Sequence, residues 1–259
     1  VFNRGREPFS YEAVPADAWL TVDAPRGPVG EDRTVRVGAR WAEVPAGATG
    51  SSVTIRGPAG ASVTVQVPLF RPAPPSATFA GFVETNGTVA IEAEHHANAV
   101  APRGREWKTI PGHGRTLSGV TPWPVTEAAA PATMRLEYPV HLFHDGPVEV
   151  AVHLAPTQKF QPGPGLRFAV SFDDQPPQVV NVHADESPAA WARSVSDGVT
   201  IATSRHTVAP GPHVLKVHAL DAGLVFQRIV VDAGGLKPSY LGPPESPRLG
   251  PVRPTRPGS

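Results

Sequence analysis

Apolar and polar residues alternate with a period of two in short segments spread over most of the chain. In Ser62-Val63-Thr64-Val65-Gln66-Val67 the valines point one way and the polar residues the other, which predicts a strand with one wet face. Val148, Val150, Val152 and Leu154 against Glu149, Ala151 and His153 repeat the pattern, as do Phe168, Val170 and Phe172. Further strands are read at 19–22, 34–41, 52–56, 79–84, 88–94, 134–138, 166–173, 178–183, 199–203, 213–220 and 224–232. Turn signals at 25–30, 45–50 and 57–60 separate the early strands at the spacing of a β-sandwich. Asn86-Gly87 between two alternating runs predicts a hairpin; Asn86-Gly87-Thr88 is also formally a glycosylation sequon, and the turn is the preferred reading. One short helix is predicted, with Ser187 as N-cap, Pro188 at its first position, a body from 189 to 195 and a stop at Gly198; Trp191 on it is read as core.

Composition sharpens this to an all-β chain. The 259 residues include 32 Pro and 25 Gly, too many for a helix bundle, since each interior Pro removes a hydrogen bond and clashes with the preceding turn. Collagen would need Gly at every third position, and recurrent valine-rich alternation argues against full disorder. The expected organisation is a first β-sandwich at 1–67, a Pro-rich linker at 68–78, a larger β-sandwich at 79–236, and a Pro-rich tail or docking strap at 237–259. The chain opens on Val1 without Met, which reads as a processed product or a piece of a longer protein.

Charge and cysteine content narrow the chemistry. With 23 basic and 23 acidic residues no global field argues for a nucleic acid or an anionic membrane as partner, and zero Cys excludes disulfides and thiol catalysis. Glycosidase chemistry needs two carboxyl groups across a sugar. Candidates are Glu92, Glu94, Glu137, Asp173, Asp174, Asp185, Glu186, Asp221 and Asp232, of which no pair is singled out, and no nucleophile elbow, phosphate loop or dinucleotide fingerprint is present. No catalytic residue is therefore assigned. His95-His96 and His141 with His144 invite zinc, but neighbours in a strand point to opposite faces and the second pair runs into a turn. Trp107 and Trp123 lie in a Gly/Pro-rich stretch with Arg103, Arg105, His113 and Arg115. Indole faces stack on sugar C–H groups while cationic donors reach hydroxyls or a uronate, so these six residues are the candidate carbohydrate contacts; the alternative is that the indoles plug loops onto the sandwich.

Ile91-Glu92-Ala93-Glu94-His95 resembles the opening strand of carbohydrate-binding modules of families 6 and 35. That resemblance implies a jelly-roll fold and a structural Ca2+ held by Glu92 and Glu94, which strand alternation would put on one face. Where those modules often carry an Asp before the last strand's apolar pair, this chain reads Phe226-Gln227-Arg228-Ile229-Val230, so Gln227 or a backbone carbonyl is the candidate third ligand, with Arg228 beside it counting against the site.

A longer likeness runs through IPGHGRTLSGVTPWPVT (110–126), LEYPVHLF (136–143), APTQKFQPGPGLRFAVSFDDQPPQVV (155–180) and RIVVDAGGLKPSYLGPPES (228–246). These blocks resemble, in order, the C-terminal region of glycoside hydrolase family 115, the xylan α-1,2-glucuronidases. The opening VFNRGREPFSYE and the strands after it resemble the small immunoglobulin-like sandwich that precedes this region in the family. The resemblance implies two β-sandwiches, immunoglobulin-like then jelly-roll, forming a non-catalytic accessory region. Xylan or glucuronoxylan, or else the catalytic domains of a parent chain or a second subunit, would be the partner, in an extracytoplasmic setting. The family's catalytic (β/α)-barrel needs about 200 or more residues of alternating strands and helices, for which this chain has no room.

Overall fold

The computed structural model describes residues 1–126, 134–160, 162–163, 165–185 and 187–250. The candidate acid Glu186 and the last part of the Pro-rich tail, 251–259, lie outside the described residues. Strands dominate, and the chain divides into two units between Ala73 and Pro74. No helix among the described residues is long and apolar enough to cross a membrane.

The first unit contains β1 (Phe9–Pro15), β2 (Leu20–Val22), β3 (Arg26–Val29), β4 (Val37–Ala39), β5 (Gly50–Arg56) and β6 (Ser62–Pro68). They form a four-stranded sheet, β3-β1-β5-β6, and a two-stranded ribbon, β2-β4. Tyr11, Ala13, Trp19, Leu20, Val29, Val44 and Val53 make its small core. The ribbon is too narrow to cover four strands spaced ~4.8 Å apart. The apolar side of edge strand β6 therefore stays bare: Val65 lies opposite buried Val53, yet Val63 and Val65 are 64% and 43% exposed. This corrects the expectation of a strand with one dry face. A groove of about 340 Å³ runs beside it, lined by Val1, Phe2, Val35, Val37, Ile55 and Val65.

The second unit runs through β7 (Gly81–Val83), β8 (Thr88–Glu92), β9 (Asn98–Val100), β10 (Glu106–Ile110), β11 (Gly119–Trp123), β12 (Arg135–Leu142) and β13 (Gly146–Leu154). It continues through β14 (Arg167–Phe172), β15 (Gln178–Asn181), α1 (Pro188–Asp197), β16 (Thr200–Val208), β17 (Gly211–Ala219), β18 (Phe226–Asp232) and β19 (Arg248–Leu249). One sheet has the order β10-β11-β18-β13-β16, with β8 also on β18; the other has β15-β14-β17-β12-β7-β19, with β9 also on β12. Pairing is antiparallel except between β7 and β12. Ile91, Val150, Phe226 and Ile229 of the first sheet share one buried cluster with Phe82, Leu136, Phe168 and Leu215 of the second, so the unit is a β-sandwich. The rings of Phe168 and Phe226 meet edge to face across it, 6.0 Å apart.

Asn86-Gly87 does form a tight turn, with φ of 53° and 72° and reciprocal backbone bonds between Thr85 and Thr88. It is not a hairpin, because β7 then joins β12 in one sheet and β8 joins β18 in the other. The supposed tail also belongs to the sandwich up to residue 249. Ser246 occupies the edge of β8: it accepts from the Ala90 N–H through Oγ at 3.0 Å and donates its own N–H to Ala90 O at 2.9 Å. Residues 248 and 249 then pair with β7.

Candidate functional site

The site begins at the one α-helix of the described residues. Ser187 Oγ accepts from the Ala190 N–H at 3.2 Å, Pro188 takes a position where no N–H is needed, and Gly198 ends the helix at φ 66°. The helix carries only a short apolar stripe, Trp191 and Val195, and none of its residues is buried. Trp191 is accordingly not core, as its sequence context implied, but 37% exposed. It borders two hollows. One, of about 520 Å³, is lined by His113, Arg115, Ala155, Pro156, Val195 and Gln227; the other, of about 440 Å³, by Gln158, Lys159, His183, Asp185, Ser187 and Ser194.

Two side chains that line the first hollow carry buried polar atoms without a partner. Gln227 on β18 is 5% exposed, donates Nε2 to His113 O at 3.3 Å, and has no partner for Oε1. The Arg115 guanidinium lies 3.9 Å from the Tyr240 ring centre, with its buried Nε unpartnered. A buried orphan of this kind costs about 1–3 kcal/mol until a donor or acceptor meets it. An amide, a guanidinium and an indole thus line one hollow, residue types suited to a hydroxylated, acid-bearing ring.

Of the six sequence candidates, His113 and Arg115 line this groove. Trp107, Trp123, Arg103 and Arg105 do not. Trp107 is half-buried, donates its indole N–H to Val100 O at 3.0 Å and packs on Phe226, so it plugs a loop onto the sandwich. Trp123 sits on the opposite face of the β10–β11 hairpin, with Lys108 Nζ 4.1 Å from the ring centre. The two indoles therefore make no common platform. Arg103 is exposed and Arg105 half-buried in the loop before β10. Trp191, Lys159 and His183 were missed; the thin apolar stripe of the helix was the available sign that its Trp faces outward.

Behind the first hollow lies a charged cluster that anchors the strap of residues 239–246. Arg228 on β18 donates to Leu241 O at 2.9 Å and to Pro243 O, and its Nη1 is 3.7 Å from Glu92 Oε1. Glu92 also receives Thr116 Oγ1 at 2.8 and 2.9 Å. Glu245 accepts from the Glu92 N–H at 2.9 Å and meets His95 Nδ1 at 2.8 Å.

These contacts correct the expected geometry for calcium. The Glu92 N–H is taken by Glu245, Ala93 O accepts from the Tyr138 hydroxyl at 2.8 Å, and residues 93–95 turn into a 3₁₀ segment. Glu94 is therefore off the strand and does not share a face with Glu92. A guanidinium already supplies the positive charge beside Glu92. The set does not fit Ca2+, and no group of three His, Asp or Glu side chains suited to a metal occurs among the described residues. His95, paired with Glu245, is likewise not arranged with His96 as a zinc site.

The cluster gives stability a pH optimum. His153, opposite Arg228 on β13, has its pKa held down to about 4 from the ordinary 6.5 by burial and then by the charges of Arg228 and Arg115. Its folded value lies below its unfolded one, so its contribution is complete above pH 6.5 and is lost as pH falls toward about 4. His96, His141 and His206, lowered chiefly by burial, act with the same sign. His95 acts oppositely. Its hydrogen bond to Glu245 raises its pKa, so its contribution is present below pH 6.5 and lost as pH climbs through the raised value. Thermal unfolding followed across pH is expected to show a maximum near 6.5. The His153→Gln variant should flatten the acid limb by up to about 3 kcal/mol, less what solvent at the ring removes. An acid limb that His153→Gln leaves unchanged would contradict the assignment.

The fold and this site define a β-sandwich module with a shallow groove edged by an indole. Residues 81–245, well over half of the chain, match the Glycosyl hydrolase family 115 C-terminal domain, and the chain belongs to that family. No curated protein matches the sequence. Among solved structures, a family GH115 4-O-methyl-α-glucuronidase, BtGH115A, with specificity for decorated arabinogalactans, is similar at 19% identity and a TM-score of 0.44. That match covers 64% of this chain and 19% of that one, so the likeness spans about a fifth of the larger protein. The C-terminal family 6 carbohydrate-binding module of LamC, a marine laminarinase from Zobellia galactanivorans, is similar at 13% identity, covering 56% of this chain and 98% of that one, with a TM-score of 0.38. A family 35 carbohydrate-binding module from Clostridium thermocellum gives 13% identity, 56% and 98% coverage, and a TM-score of 0.40.

Proposed function

We propose that this chain is the sugar-binding accessory region of a xylan α-1,2-glucuronidase-like glycoside hydrolase. It holds glucuronoxylan for a catalytic barrel carried elsewhere in the parent protein and contributes no catalytic residue itself. The observation that carries this reading is the exposed Trp191 indole in one hollow with Arg115 and Gln227, whose buried Nε and Oε1 have no partner. Membership of the family 115 C-terminal domain supports the substrate class. On this reading the parent works where polysaccharide is met, outside the cytoplasm.

Titration calorimetry of the chain with glucuronoxylan oligosaccharides tests it, and binding at micromolar to low millimolar ligand is the expected result. Failure at millimolar ligand with the fold intact would sink the proposal. It would favour a second reading carried by the first unit, whose uncovered apolar face of Phe2, Val37, Val63 and Val65 suits packing against a parent chain or a second subunit.

A further inference from the structure

We infer that the Trp191 groove takes an internal stretch of an acid-bearing polysaccharide, its acidic substituent in the His113–Arg115–Gln227 hollow and its neutral backbone running past the indole into the Lys159–Ser194 hollow. This rests on the reading that the groove binds sugar, and it fixes how much sugar and in which direction.

The argument starts from the position of Trp191, which borders both hollows. Each hollow, at about 440 and 520 Å³, already falls in the size range of a small-ligand site, and both open to solvent. A single sugar ring stacked on the indole would leave at least one hollow empty. A chain of several rings can use the indole as a ridge and place polar groups on either side of it.

The two hollows differ in charge. Among the described residues no carboxylate lines the first, where Arg115 brings a cationic guanidinium; Glu92, in the cluster behind it, is engaged by Arg228 and Thr116, and Glu245 by His95. Among the described residues the second hollow carries both signs of charge, Lys159 and Asp185. Asp185 accepts from the Ser187 N–H at 2.9 Å and has Arg193 at 3.9 Å, and Lys159 Nζ donates to Gly163 O. Hydroxyls of Ser187 and Ser194 complete a lining suited to neutral hydroxylated rings. A carboxylate is therefore favoured on the Arg115 side by charge, and a neutral backbone on the other.

The experiment compares, by calorimetry on the whole chain, free glucuronic acid, glucuronic acid-substituted xylobiose and xylotetraose, and the same tetraose with its carboxyl group reduced to an alcohol. Affinity should rise about tenfold or more from the free acid to the substituted tetraose, the size of one additional well-made contact. Lys159→Ala should lower the affinity for the substituted tetraose about tenfold, removing the gain with length. Arg115→Gln should erase the preference for the acid over its reduced form while keeping the gain with length. Equal affinity for free acid and tetraose, or a gain with length that survives Lys159→Ala, would overturn the two-hollow assignment with sugar binding intact. Absence of binding by every sugar would instead overturn the binding reading itself, and this inference with it.

Discussion

The Trp191→Ala variant should bind glucuronoxylan oligosaccharides roughly 30-fold more weakly, a loss of about 2 kcal/mol, with its unfolding midpoint nearly unchanged. The helix carrying Trp191 has no buried residue, and its ends are fixed by Ser187, Pro188 and Gly198 rather than by the indole. Alanine has the highest helix propensity, so the substitution removes a stacking surface without removing the element that presents it. Trp123→Ala serves as the contrast. That indole is similarly exposed, at 39%, but lies away from the groove, and its loss should leave affinity within twofold, about 0.4 kcal/mol. Calorimetry with circular dichroism on the same samples reads both quantities. Equal losses in the two variants would mean that the groove at Trp191 is not the binding surface.

The largest loss of stability should come from Arg228→Met, about 3–5 kcal/mol in urea unfolding. Arg228 is 4% exposed and Glu92 6% exposed, so the variant strands a carboxylate in the interior, held by the Thr116 hydroxyl without its cation. The same change releases the carbonyls of Leu241 and Pro243, loosening the strap that covers the edge of β8. Removing both charges together, as Arg228→Met with Glu92→Gln, should recover a large part of the loss, because the unpaired charge is then gone. Hydrogen exchange at residues 239–246 separates the two contributions: it should quicken in both the single and the double variant. A double variant no more stable than Arg228→Met would show that the ion pair is not what the interior depends on.

How far these features could be read from the residues depended on whether their causes were local. The long strands β12 to β14 and β16 to β18 were legible because their alternation reflects a sandwich with a single core, and the helix was legible because its caps are adjacent in sequence. The hairpin of β10 and β11 hid in a Gly/Pro-rich stretch that composition marks as loop. Asn86-Gly87 announced a turn correctly, but a turn signal carries no information about which sheet each strand then joins. The pairing of Glu92 and Glu94 failed for a distant reason: the residue that claims the Glu92 N–H is Glu245, 153 positions away. In the groove, His113 and Arg115 were found by their chemistry. Their indole was sought nearby in sequence, at Trp107 and Trp123, whereas the fold brings it from a helix beyond β15.

The antiparallel pairing of β19 with β7 sets Leu249 against Gly81 and Arg248 against Phe82. The polypeptide thus enters and leaves this sandwich at neighbouring points on one sheet. Such a module is a cassette: it can be spliced into a surface loop of an unrelated host, or have its ends joined and be reopened at another exposed turn, without stretching the host or breaking a core strand.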